Sequence, residues 1–166
     1  MEKLKIALGL RNQEDPNSFF SILKNEHLMV ARNVRQITQS NQPLTDLYND
    51  TANALSTHMQ GEEELLYPKL EDSPNRQMAF MSYQEHDLIK QLLNSINSST
   101  TDSDRWIAKV RVLEIVLNNH INFEENQVFP KAKEVMFQQS ETLLRNQYQT
   151  KKVNANETTP LASPQP

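Results

Sequence analysis

Two stretches of the chain repeat one pattern: HMQGEEELLYPK at residues 58–69 and HINFEENQVFPK at residues 120–131. At matching offsets each contains a histidine, two adjacent glutamates, an aromatic residue, a proline and a lysine. A repeated pattern of this kind indicates that the chain uses one structural unit twice.

The spacing within each repeat predicts a pair of metal-binding side chains. Residues four apart lie on the same face of an α-helix, about one turn from each other. His58 and Glu62 therefore project together from one helix, and His120 and Glu124 project together from another. Imidazole and carboxylate groups suit Fe, Mn or Zn. Each repeat can thus contribute two ligands to a metal centre.

The rest of the sequence predicts an all-α protein. It has only two glycines and few alternating β-branched stretches, so little favours a sheet. Helix-start signals such as Asp15-Pro16 and Ser73-Pro74 predict four long helices, over residues 16–40, 43–67, 74–98 and 103–129. Short polar connections favour antiparallel neighbours, and hence an up-down-up-down four-helix bundle.

The length of 166 residues suits one domain. We place this domain at residues 16–150, after an N-terminal extension at residues 1–15. Beyond Pro130 we expect a short additional C-terminal helix that packs across one end of the bundle. Residues 151–166 are predicted to form a disordered tail, because that stretch is poor in apolar residues and rich in Pro, Ser and Thr.

Each predicted helix carries one histidine among its inward-facing positions, which recur at steps of three and four. These histidines are His27, His58, His86 and His120. A single inward histidine is more often a hydrogen-bonded core residue, but four in one bundle favour a metal centre. Inward glutamates without a cation would be costly, and a pair of divalent metals would neutralise them. A metal-free structural bundle remains the alternative.

Composition excludes several other classes of protein. The chain has no cysteine, so disulfides, thiolate metal sites and cysteine nucleophiles are absent. A net charge of −4 without a basic cluster argues against nucleic-acid binding. No apolar stretch reaches the length of about 18 residues that a membrane span needs, and the N-terminus does not read as a signal peptide. We therefore expect a cytoplasmic protein that does not bind membranes.

These motifs resemble the hemerythrin-like, HHE cation-binding proteins. That family has a histidine in its first helix, His-x-x-x-Glu-Glu before aromatic-Pro in the second, Glu-His in the third and a further His-x-x-x-Glu-Glu in the fourth. The resemblance covers about residues 16–150 and implies a non-haem di-iron centre, its two iron ions bridged by carboxylates and an oxo or hydroxo group, with Zn or Mn less expected. It implies six metal ligands: His27, His58, Glu62, His86, His120 and Glu124.

The chain departs from the oxygen carriers of that family. They have a fifth histidine in the third helix, where this chain has Ser82 and Lys90 near His86, and they end with His-x-x-x-x-Asp, where it has Glu124 and Glu125. The resemblance therefore implies binding or sensing of O₂, NO or iron rather than reversible oxygen transport. A redox enzyme or an iron-centre repair protein is the alternative, and a zinc-binding bundle a weaker one. No motif identifies a protein partner.

Several other residues support weaker hypotheses. Gly61, within the second helix, either opens a pocket for a small ligand or allows close helix packing. We expect Tyr67 and Phe129 to pack in the core at the helix ends. Three glutamates are predicted to form a solvated face, with the last of them a reserve ligand: Glu63, Glu64 and Glu125.

Overall fold

The computed structural model describes residues 15–41, 43–100, 104–136 and 138–158, and every regular element in these ranges is helical. In chain order they are α1 (Phe19–Gln39), α2 (Thr45–Leu65), α3 (Pro68–Glu71), α4 (Arg76–Asn97), α5 (Asp104–Phe123), a π-helical segment (Glu124–Val128), α6 (Phe129–Val135) and α7 (Gln138–Thr158). The prediction of an all-α helical bundle is confirmed. The predicted extension at residues 1–15 lies almost wholly outside the described residues.

The long helices α1, α2, α4 and α5 form the bundle. Helix α1 packs against α2 and α5, and α4 packs against α5. Helix α1 begins a few residues later than predicted, because Ser18 is the residue that caps it. The Ser18 hydroxyl accepts a hydrogen bond from the Ser21 amide at 3.1 Å, which satisfies one of the free N–H groups of the first turn.

The apolar core is divided into two clusters by a polar layer. One cluster surrounds Leu55, Leu113 and Trp106, and the other surrounds Phe20 and Leu70. The histidines and the inward glutamates lie between the two clusters, on the four bundle helices and on the π-helical segment that follows α5. Because close-packed apolar side chains exclude water on both sides, the layer has a low dielectric environment in which charges interact strongly.

The C-terminal helix differs from the prediction. Helix α7 is not short but has 21 residues, and it packs along α1 and α2 instead of across one end. It includes residues 151–158, which the sequence assigned to the tail. Leu144 and Tyr148 are buried against the bundle, and this burial stabilises a helix whose own composition is largely polar. Residues 159–166 lie outside the described ranges.

All helices of the described ranges fall short of the combined length and hydropathy that a bilayer-spanning segment requires.

Candidate metal centre

The six residues predicted as ligands come together in the polar layer, each with 3% or less of its surface exposed. Their donor atoms form two overlapping groups in which all atoms lie within 4.8 Å of one another. The first group consists of His27, His58, Glu62 and Glu124, and the second of Glu62, His86, His120 and Glu124. Each histidine belongs to one group and both glutamates belong to both. The geometry therefore fits two neighbouring cations that share two carboxylates.

Several donor atoms of this layer have no hydrogen-bond partner within the described part of the chain. They are Nε2 of His27, Nε2 of His58, both carboxylate oxygens of Glu62 and Oε2 of Glu124. Imidazole and carboxylate approach one another, at 3.2 Å between His58 Nε2 and Glu62 Oε2 and 3.1 Å between His27 Nε2 and Glu124 Oε2, but these approaches do not complete hydrogen bonds. Buried polar atoms without partners are costly. Cations bound between them would satisfy all of these atoms at once.

Each of the four histidines is oriented by a glutamate on its outer side. The Nδ1 to carboxylate distances are 3.0 Å for His27 and Glu125, 2.8 Å for His58 and Glu26, 2.9 Å for His86 and Glu63, and 2.9 Å for His120 and Glu85. A carboxylate only accepts hydrogen bonds, so Nδ1 carries a proton in each case. This leaves Nε2 facing the centre, which is the arrangement that orients histidines in metal sites.

Two of these outer glutamates correct the sequence-based hypothesis that Glu63, Glu64 and Glu125 form a solvated face. Glu63 and Glu125 bind histidines, and Glu125 lies on the outer nitrogen of His27 rather than among the inner donor atoms. The sequence does contain a signal that could have identified the outer glutamates, since each of them directly precedes or follows a predicted ligand. Neighbouring residues on a helix point about 100° apart, so the second one reaches the adjacent helix. Glu64 lies on the surface, where it pairs with Lys151.

Tyr67 has a role that the sequence did not predict. Its hydroxyl donates to Glu124 Oε1 at 2.6 Å and lies 2.9 Å from His86 Nε2, so it reaches into the second donor group. Burial, and then the nearby carboxylates, raise the pKa of Tyr67 well above its usual value. The phenol is therefore neutral in the metal-free protein. Phe129 packs as predicted, with its ring stacked on His27 at 5.6 Å between centroids.

The prolines of the two repeats explain how the aromatic residues reach this layer. Pro68 and Pro130 lack an N–H group, and a proline ring collides with the carbonyl four residues earlier in a regular α-helix. Both helices respond with a wider turn. The Tyr67 amide donates to the Glu62 carbonyl and the Phe129 amide donates to the Glu124 carbonyl, each across five residues. Such π-type turns are frequent at functional sites.

The space beside Gly61 is filled by Tyr148 of α7. A Cβ atom at Gly61 would lie 2.1 Å from Cε2 and 2.6 Å from Cδ2 of the Tyr148 ring. The ligand-pocket hypothesis for Gly61 is therefore wrong, and close helix packing explains the glycine. A glycine was needed because no other residue allows a ring to approach the α2 backbone this closely.

The metal-free layer holds opposite charges in place of a cation. Burial opposes protonation of His58, but Glu62 and Glu26 outweigh it and raise its pKa to about 10. Burial also opposes protonation of His86, but Glu62 and Glu63 outweigh it and raise its pKa to about 9. Burial also opposes ionisation of Glu62, but the histidines hold its pKa well below the usual range. The metal-free layer is thus a set of ion pairs, and a metal that binds there must replace the protons on the imidazoles.

A helical bundle that buries four histidines and two glutamates in one layer is typical of a class of metal-binding proteins. The chain belongs to the hemerythrin family: residues 18–132 match the model of the hemerythrin HHE cation-binding domain. A similar architecture occurs in the crystal structure of an HHE cation-binding domain-containing protein from Mycobacterium kansasii. That chain is 18% identical and superposes with a TM-score of 0.69, over 87% of this chain and 95% of its own.

The chain is also similar to a larger protein described as a DNA nickase, from Nostoc sp. strain PCC 7120. The two are 24% identical over 110 residues, which make up 65% of this chain and 31% of the nickase. The chain therefore spans about a third of that relative.

Proposed function

We propose that this protein binds two iron ions as a non-haem di-iron centre and uses them to bind or sense O₂, NO or iron. The six ligands would be His27, His58, Glu62, His86, His120 and Glu124. One observation carries the proposal: both glutamates lie in both donor groups, as two bridging carboxylates would.

The donor set supports iron on chemical grounds. Imidazole and carboxylate donors suit Fe, Mn and Zn, and membership of the HHE family favours iron among them. Each donor group offers two histidines and two shared carboxylates, which leaves coordination positions for a small ligand on a metal that accepts six. When bound, the iron pair would supply the redox chemistry and the affinity for O₂ or NO. The chain's own contribution is to orient the imidazoles, to exclude water and to hold a hydroxyl, that of Tyr67, beside the second group.

A redox enzyme or an iron-centre repair protein is the second candidate. The Tyr67 hydroxyl favours it, because a neutral phenol within hydrogen-bond distance of the donor atoms can donate a hydrogen bond to a bound substrate. DNA cleavage, the activity in the name of the Nostoc relative, has less support, since the net charge of −4 does not favour binding to phosphates.

The test is the metal content and the absorption spectrum of protein purified without oxygen, before and after exposure to air and then to NO. We expect two irons per chain and a spectrum that changes with either gas. A reversible change supports binding of O₂, whereas repeated consumption of peroxide with a reductant supports the enzyme. Folded protein that takes up no iron would contradict the proposal. Glu64→Gln serves as the control variant, because Glu64 lies on the surface away from the centre.

Metal loading is expected to release protons. With pKa values of about 10 and about 9, the imidazoles of His58 and His86 are protonated at pH 7. Each must lose a proton before Nε2 can bind a metal, so the apparent affinity should rise with pH through the neutral range and level off above about 10. Isothermal titration calorimetry in two buffers of different ionisation enthalpy measures the release, and we expect two or more protons per loaded chain. An identical heat in both buffers would contradict this expectation.

A further inference from the structure

We propose that Tyr148 and Lys152 of α7 are positioning residues for the metal ligand His58 and act on it through Glu26. Helix α7 lies beyond residues 18–132, the part of the chain that matches the family model. The inference rests on the proposed metal site, and it assigns to the C-terminal helix a part in that site.

The contacts form one chain of hydrogen bonds from α7 to the polar layer. Oε2 of Glu26 lies 2.8 Å from Nδ1 of His58. The Tyr148 hydroxyl donates to the same oxygen, and the Lys152 ammonium donates to the other oxygen, Oε1. Both oxygens of Glu26 are thus held, and the carboxylate cannot turn away from the imidazole. Lys152 also lies over the Tyr148 ring, 5.8 Å from its centroid, which holds the two donors together.

Residues of α1 and α2 accommodate the close approach of the Tyr148 ring. Tyr148 is 1% exposed, and its ring packs edge-on against Phe19 at 5.7 Å between centroids. Gly61, three residues after His58, provides the space for that ring. A helix that merely covered the bundle would not need a glycine on α2, nor would it place two donors on a carboxylate that is only 12% exposed.

Another outer glutamate, Glu63, is also held by a lysine. Lys90 of α4 donates to Glu63 Oε1 at 2.6 Å, and the same oxygen lies 2.9 Å from Nδ1 of His86. The cation on Glu63 comes from within the four-helix bundle, whereas the cation on Glu26 comes from α7, outside the bundle.

The physical consequence is a coupling between α7 and the metals. A carboxylate that is held in place fixes the ring orientation of a histidine ligand and raises its basicity, and loss of such support typically weakens metal binding by about 10- to 100-fold. Coupling between two binding events is reciprocal. Metal binding should therefore also tighten the packing of α7 on the bundle.

The experiment is a titration of the full metal-free chain with cobalt(II), whose visible absorption reports coordination directly. We compare wild type with Tyr148→Phe, Lys152→Met and the matched control Lys151→Met. Lys151 neighbours Lys152 on the same helix, but it pairs with Glu64, which is 40% exposed and touches no histidine in the described residues. We expect Tyr148→Phe and Lys152→Met each to weaken one of the two binding steps by about 10-fold, with Lys151→Met unchanged and Lys152→Arg restoring the affinity.

A second measurement distinguishes positioning from simple stability. Hydrogen exchange of the α7 backbone amides in the metal-free and cobalt-loaded chain should show slower exchange when the metal is bound, in wild type and in Lys151→Met but not in Lys152→Met. Equal affinities in all variants, or α7 exchange that does not respond to cobalt, would overturn the inference while leaving the metal site intact. A wild-type chain that binds neither cobalt nor iron would overturn both this inference and the proposed function.

Discussion

Replacement of Glu62 by alanine is expected to abolish binding of both metals, whereas replacement of His58 by alanine should leave one metal bound. The reason is the composition of the two donor groups. Glu62 belongs to both, so its loss removes a donor from each metal, but His58 belongs only to the first group. Metal content per chain after loading with iron or cobalt and removal of the excess measures the difference.

The neighbouring acidic residues provide the controls for this experiment. Glu64→Ala removes a carboxylate two residues from Glu62 without touching the layer, so it should retain both metals. Glu63→Ala removes only the outer partner of His86 and should weaken binding by about 10- to 100-fold without abolishing it. If His58→Ala and Glu62→Ala lose metal to the same extent, the two groups do not act as separate sites that share a carboxylate.

Gly61→Ala is expected to destabilise the protein, although alanine is the better helix former by about 1 kcal/mol. The new methyl group would overlap the Tyr148 ring, which is fully enclosed and cannot move without opening the contact between α2 and α7. Overpacking of this kind costs about 1–3 kcal/mol in the free energy of unfolding. Thermal or urea unfolding of the metal-free chain measures this loss.

The effect of Gly61→Ala on the free energy of unfolding should change sign when Tyr148 is removed. In a Tyr148→Ala background the space beside Gly61 is open, so Gly61→Ala is expected to stabilise the chain by up to about 1 kcal/mol. The double-mutant cycle therefore isolates the contact between these two residues. Destabilisation of similar size in both backgrounds would show that Gly61 is required for another reason, such as the conformation of α2 beside Glu62.

The four bundle helices and the six inward side chains were predictable because they depend on local periodicity. Steps of three and four place His58 and Glu62 on one face of a helix whatever surrounds it, and an apolar face indicates which side is buried. The wide turns before Pro68 and Pro130 were not predicted. Whether a proline ends a helix or widens one turn depends on whether neighbouring helices hold the chain in place. The wide turn before Pro68 brings Tyr67 to the layer.

Spacing within single helices was enough to predict the fold class, the four helices of the bundle and the six candidate ligands. The partners of the outer nitrogens, the contacts of Tyr67 and the packing of α7 could be known only from the structure. Lys152 meets Glu26 across 126 residues of sequence, and that contact depends on how far the helices are rotated about their axes. Rotation is set by packing between helices, which no single stretch of sequence contains.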